Sequence, residues 1–125
     1  MEKQALNEIH ERLKSMLLGH VPPLQVRKDN ENVLELAGTK QRMQGRQMVD
    51  GFYFASIVPK PKDIRLYFFP IYTHPENFTG LSENLRKYLK GKSCFHIKKM
   101  DAELDEEIGL IISKGVAVYK EADLI

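Results

Sequence analysis

Two stretches dense in apolar and aromatic residues, 48–58 and 64–72, lie between segments whose apolar residues recur at helical spacing. Before them, Leu6, Ile9, Leu13, Met16 and Leu17 fall at intervals of three and four, with Glu8, Glu11 and Lys14 elsewhere on the wheel. One apolar stripe on an otherwise polar helix is the pattern of a helix packed against a core. Gly19 and Pro22-Pro23 supply its stop. Residues 24–27 and 33–36 flank the turn-rich Lys28-Asp29-Asn30-Glu31-Asn32 and predict a hairpin, while 38–47, polar and basic, reads as loop.

The two dense stretches are rich in β-branched and aromatic residues and are separated by Pro59-Lys60-Pro61-Lys62-Asp63, so they are expected to pair as an antiparallel hairpin. Strict alternation over 48–58 puts Phe52, Phe54 and Val58 on one side and Tyr53, Ala55 and Ile57 on the other. Both sides are then apolar, which predicts a second face covered by a loop, a ligand or another subunit. Ser82 is placed to cap a short helix carrying Leu85, Tyr88 and Leu89 and closed by Gly91. A strand through Cys94 follows. Asp101 then caps a last helix with Leu104, Ile108, Ile111 and Ile112 as its buried stripe, and 116–119 continue it as a helical turn. The predicted order is α-β-β-β-β-α-β-α in one domain spanning 1–125, an α+β two-layer fold with an antiparallel sheet and helices on one face. The predicted core comprises Leu13, Leu17, Phe54, Leu66, Phe68, Leu85, Leu89, Phe95, Ile97, Ile108 and Ile112.

Composition narrows the class of protein. A chain of 125 residues can bury roughly two thirds of its unfolded surface without a metal or disulfide staple. A formal charge of +2 does not announce a nucleic-acid binder. One cysteine excludes an intrachain disulfide and a four-thiolate zinc site and suits a reducing compartment. The polar start, Met1 to Glu8, lacks a secretory core, and the longest apolar run, 51–58, is far short of the roughly 18–20 residues that span a bilayer. The expectation is a cytoplasmic protein with no membrane partner.

The densest chemistry lies in Gly91-Lys92-Ser93-Cys94-Phe95-His96-Ile97-Lys98-Lys99. Along a strand, Lys92, Cys94, His96 and Lys98 share a face, and Phe95 and Ile97 turn to the core. Gly91-Lys92-Ser93 is no phosphate loop, because Arg86 stands where its first glycine is required and the tripeptide leads into a strand. Gly80-Leu81-Ser82-Glu83-Asn84 lacks the second glycine of a nucleophile elbow, and His10-Glu11 lacks the second histidine of a zinc hydrolase. Cys94, His96 and His74 could together supply three metal ligands, against the plainer reading of a half-buried thiol packed as a small hydrophobe. Arg86, Lys87, Lys90, Lys92, Lys98 and Lys99, with Lys40, Arg42 and Arg46, form an anion site if the two groups converge and a solvated face if they do not. Glu103, Glu106 and Glu107 are neighbours on the last helix and could hold a hard cation such as iron, although acidic residues in a first turn are already favoured by the helix dipole.

Several of these segments carry a resemblance. Phe52-Tyr53-Phe54-Ala55, Tyr67-Phe68-Phe69-Pro70-Ile71-Tyr72 with the following Pro75, Leu89-Lys90-Gly91-Lys92-Ser93-Cys94-Phe95 and Tyr119-Lys120 resemble the YdhG-like family of small bacterial domains of unknown function. The resemblance covers 52–125 best and implies an α+β sheet with helices on one side. One branch of that family is described as a frataxin-like iron chaperone, which makes the acidic run from Asp101 to Glu107 a candidate of the same chemical kind. The resemblance transfers no iron ligands. The expected function is therefore a non-enzymatic binding domain, its small ligand or protein partner held on the exposed sheet face or along the Cys94 strand by Tyr53, Tyr67, Lys92, Cys94 and His96. An iron carrier and a self-association module using an apolar sheet face are the alternatives.

Overall fold

A computed structural model describes residues 2–40, 42–44, 46–49 and 51–125. Its frame is an antiparallel sheet built from β1 (Gln25–Asp29), β2 (Leu34–Ala37), β5 (Tyr53–Pro59), β6 (Ile64–Phe68), β7 (Leu89–Lys90) and β8 (Cys94–Ile97), in the order β1-β2-β5-β6-β8-β7. Strands β3 (Arg42–Gln44) and β4 (Gln47–Val49) pair separately as a small ladder. The sheet packs against α1 (Glu2–Leu18) and α4 (Ala102–Glu121), and two single turns, α2 (Pro70–Thr73) and α3 (Glu83–Arg86), complete the helical side. This is the α+β fold with an antiparallel sheet that the pattern predicts.

The two long helices form for the reasons legible in their spacing. Ile9, Leu13 and Leu17 of α1 are buried, and Gly19 lies just past its end. In α4 the Asp101 carboxylate accepts from the Leu104 N–H at 2.8 Å, while Leu104, Ile108, Ile111, Ile112, Val116 and Tyr119 turn inward. Each fully buried large apolar side chain contributes about 1.5–3 kcal/mol. Arg12 ties α1 to α4 by donating to both oxygens of Asp105, at 2.8 and 3.0 Å. Of the predicted core, only Leu89 is not fully buried.

Five expectations are corrected. The 38–47 segment read as loop contains β3 and the start of β4; Gln41 and Gly45 within it lie outside the described residues. The central strand begins at Tyr53, because Met48 belongs to the separate ladder. Its partner ends at Phe68, because Pro70 has no N–H to donate to a ladder and instead opens α2. Leu89, expected on a helix, sits in β7, because α3 stops at Arg86.

The fifth correction concerns the faces. Leu36 pairs with Ala55 and Ala37 with Tyr53, so Phe54 is the extra residue of a β-bulge. Phe54 and Ala55 both turn inward, with Phe54 edge-on to Phe68 and Tyr119, and Tyr53 is left on the outer side. The outer face is consequently polar, not a second apolar face.

Two glycines of α4 should respond oppositely to alanine. A Cβ at Gly109 meets nothing within 4 Å, whereas one at Gly115 falls 2.7 Å from the Phe68 ring and 3.2 Å from Pro70. Gly109→Ala should stabilise by up to about 1 kcal/mol through helix propensity alone. Gly115→Ala gains the same propensity but overpacks a buried ring at a cost of about 1–3 kcal/mol. Urea denaturation of the two variants should move the midpoint up for the first and down for the second; a rise in both would show that Phe68 gives way freely.

An open sheet face as the candidate functional site

Cross-strand register assembles the outer face. Lys28 pairs with Glu35, Glu35 with Ser56, Ser56 with Tyr67, Tyr67 with Cys94 and Cys94 with Lys90, one row across all six strands. Directly opposed residues share a face, so the row is polar throughout while its neighbours Leu34, Ile57, Leu66 and Phe95 line the core. The next outer row is Val58, Arg65 and His96. Perfect alternation in β6, with Ile64, Leu66 and Phe68 buried and Arg65 and Tyr67 half-buried, shows the same division.

Ser56 and Asp63 are 5% and 6% exposed, the buried polar side chains among the described residues. Buried polar atoms need partners, and both have them. The Ser56 and Tyr53 hydroxyls are 2.6 Å apart. Arg65 Nε donates to Asp63 Oδ1 at 3.1 Å, and His96 Nδ1 lies 3.9 Å from Asp63 Oδ2. At the far side, Arg27 Nε stands 3.6 Å from the Glu35 carboxylate. Burial pushes the Tyr53 phenol up to about 12, partly opposed by its bond to Ser56, so it stays a neutral hydroxyl under ordinary conditions. Burial also pushes the Cys94 thiol up, and hydrogen bonding to Tyr67 and the charge of Arg65 only partly offset it. A thiol held protonated is a weak nucleophile.

An aromatic border closes one end. Phe69 lies 5.3 Å from Tyr53 and 5.6 Å from both Phe52 and Tyr72, measured between ring centroids. Tyr72 is half exposed, with the Lys92 ammonium 5.4 Å above its ring. Behind this border the Tyr119 hydroxyl donates to the Tyr53 carbonyl at 2.6 Å, fixing the strand at its bulge from the helical side.

The structure thus brings together Tyr53, Tyr67 and Cys94 in one neighbourhood, sets His96 in the adjacent row, and leaves Lys92 on the turn at the aromatic border. Glu35, Ser56, Asp63 and Arg65 were missed by sequence reasoning. Alternation in 64–68 marks Arg65 as outward-facing, whereas Ser56 and Asp63 join the face through partners that only folding supplies. Glu103 and Glu106 are exposed, and Glu107 is engaged by Ser82, whose N–H and hydroxyl both donate to its carboxylate. His74 is bonded to the Thr73 hydroxyl at 2.8 Å. Among the described residues, no group of three histidine, cysteine or acidic side chains is arranged to hold a metal ion. Neither the His74, Cys94 and His96 trio nor the Glu103, Glu106 and Glu107 trio is assembled as a metal site.

Among the described residues, the two basic groups, at 86–99 and at 40–46, do not converge on one anion site either. Lys40 pairs with Asp123 at 2.5 Å, Arg86 donates to the Thr79 carbonyl, Lys87 lies over Tyr88, and Lys98 and Lys99 line clefts on the helical side. The Arg42 side chain lies outside the described residues. No described helix is long and apolar enough to cross a membrane. Compared with protein-family models, with curated proteins and with solved structures, the chain matches none of them.

Proposed function

We propose that the chain is a non-enzymatic binding domain that holds a small polar ligand on the open face of its sheet, across Tyr53, Ser56, Tyr67 and Cys94. The observation that carries this reading is the centre of the row with Tyr53 beside it: hydroxyl and thiol groups, Ser56 buried and Tyr53, Tyr67 and Cys94 half-buried, on a sheet face that α1 and α4 leave uncovered. Preorganised donors and acceptors cost little to order on binding. Lys28 and Lys90 end the row, Arg65, paired with Asp63, lies in the next one, and the Tyr72 and Phe69 rings give a flat apolar edge. A polar ligand with one planar or apolar side fits these surroundings.

The protonated Cys94 thiol supports binding over covalent catalysis. The resemblance to YdhG-like domains points to the same kind of small cytoplasmic protein, and an iron carrier lacks comparable support because Glu107 is already occupied. Self-association through an apolar sheet face loses its premise with the polar character of that face.

Native mass spectrometry of freshly purified protein, with elemental analysis, tests the reading. A co-purified small molecule without stoichiometric metal is expected, and Tyr67→Ala should lose it. Cys94→Ser, which keeps a small hydrogen-bonding group at that point of the row, should retain it while lowering stability by on the order of 1 kcal/mol, since a more polar group replaces a half-apolar thiol. Protein that carries nothing, or an adduct unaffected by Tyr67→Ala, overturns the assignment to this face.

A further inference from the structure

A groove on the helical side of the molecule has the complementary chemistry for a different ligand. Its wider part, ≈ 580 Å³, is lined by Ala5, Leu6, Lys62, Lys98 and Lys99. Lys62 comes from the β5–β6 turn, and Lys98 and Lys99 from the connection between β8 and α4, so two separate points of the chain bring three lysines to one cleft. All three lysines are exposed, and among the described residues none has an ion-pair partner. Ala5, Lys98 and Lys99 also line a second cleft of ≈ 330 Å³, so the two clefts adjoin along a shared wall. The second runs beside α1 over Ile9 and Met100 to the Arg12–Asp105 ion pair, with Glu8 on its rim.

The groove is therefore asymmetric along its length. The end at Lys62 is the more positive among the described residues, because Lys62 lines only the wider part while Lys98 and Lys99 border both, with Glu8, Arg12 and Asp105 on the narrower part. Its floor is apolar, with Leu6 and Met100 partly buried and Ile9 buried against the core. Its far end is closed by a mutually satisfied ion pair. We propose that this groove binds a small anionic amphiphile, an oxyanion head with a medium-length alkyl tail, whose head lies among Lys62, Lys98 and Lys99 and whose tail follows Leu6, Ile9 and Met100. Clefts that bury apolar surface while a few placed charges fix orientation are the usual form of a small-molecule site. A bare anion would leave the apolar floor wet, and a neutral alkane would leave the lysines without a partner. This site is on the other side of the sheet from the Tyr67 row and does not depend on it.

Titration with hexanoate, octanoate and decanoate, followed by calorimetry and by backbone amide shifts, tests the proposal on the full chain. Saturable one-to-one binding is expected, tightening roughly tenfold for each two methylenes added, as burial of each methylene predicts. Shifts should concentrate at Leu6, Ile9, Lys98 and Met100 and spare Tyr67 and Cys94, which separates this site from the sheet face. The triple variant K62Q/K98Q/K99Q should weaken decanoate at least tenfold while unfolding at the same temperature. The variant K87Q/K114Q/K120Q, with the same change of net charge elsewhere, should bind as the wild type does. Acetate and inorganic phosphate should bind at least tenfold more weakly than decanoate. No saturable decanoate binding, equal affinity in the K62Q/K98Q/K99Q variant, or acetate binding as tightly as decanoate would each overturn the proposal.

Discussion

Phe68→Ala should destabilise the protein by about 3–5 kcal/mol, the range for truncating a fully buried aromatic residue. Phe68 has no exposed surface, meets Phe54 edge-on at 5.6 Å and Phe78 edge-on at 5.5 Å, and fills the space left by Gly115. Its neighbours belong to β5, to the segment after α2 and to α4, so the cavity would open where sheet and helices join. Rearrangement cannot close it cheaply, since Gly115 has no side chain to swing in. Domains of this size have a total stability of about 5–15 kcal/mol, so the loss is a large fraction of it. Thermal denaturation should show a fall on the order of 10–20 °C. By contrast Tyr72→Ala, at a ring half exposed to water, should cost about 1 kcal/mol or less. If the Phe68→Ala midpoint falls no further than that of Tyr72→Ala, the junction is not packed as described.

Stability should decline steeply between pH 10 and about 12 because of Tyr53. The phenol ionises near 10 in the unfolded chain, while in the folded protein burial keeps it protonated until about 12. Over that window the native state holds more protons than the unfolded state, so stability is fully present below the lower value and drains away as pH rises. The loss is about 2–3 kcal/mol at roughly 1.4 kcal/mol per unit of pH. Tyr119, also raised by burial, adds to it in the same direction. Urea denaturation across this range is the measurement, with phenolate absorbance reporting the titration. Tyr53→Phe should remove its share of the alkaline loss while lowering neutral-pH stability, because Ser56 is left without its partner. A variant as alkali-sensitive as the wild type would show that Tyr53 is more open to water than its surroundings indicate.

How much of this could be read along the chain depended on the range of the interaction. The stripe Ile9, Leu13, Leu17 and the caps Ser82 and Asp101 are local, and the structure places each as expected. The alternation through Cys94, Phe95, His96 and Ile97 was local too, and it assigns two of them to the core and two to the outer face. Where alternation was extended through Phe54 it failed, because a bulge is set by the pairing of β5 with β2 and not by β5 alone. The lengths of β6 and α3 were overestimated for related reasons. Pro70 withdraws a donor from the ladder, and Leu89 gains more from pairing opposite Phe95 than from another helical turn.

The site divides in the same way. Sequence by itself determined the kind of fold, which side of each short strand is apolar, and that Tyr67, Cys94 and His96 would face away from the core. Period and capping act over three or four residues, and neighbouring side chains suffice to specify them. Tertiary structure alone decided that Ser56 would meet Tyr53, that Asp63 would stand between Arg65 and His96, that Glu107 would accept hydrogen bonds from Ser82, and that Lys62 would join Lys98 and Lys99. Those contacts depend on strand register and on where helices cross the sheet. Register is the cumulative result of every turn and bulge before it, so one unforeseen residue such as Phe54 changes which chemistry shares a face.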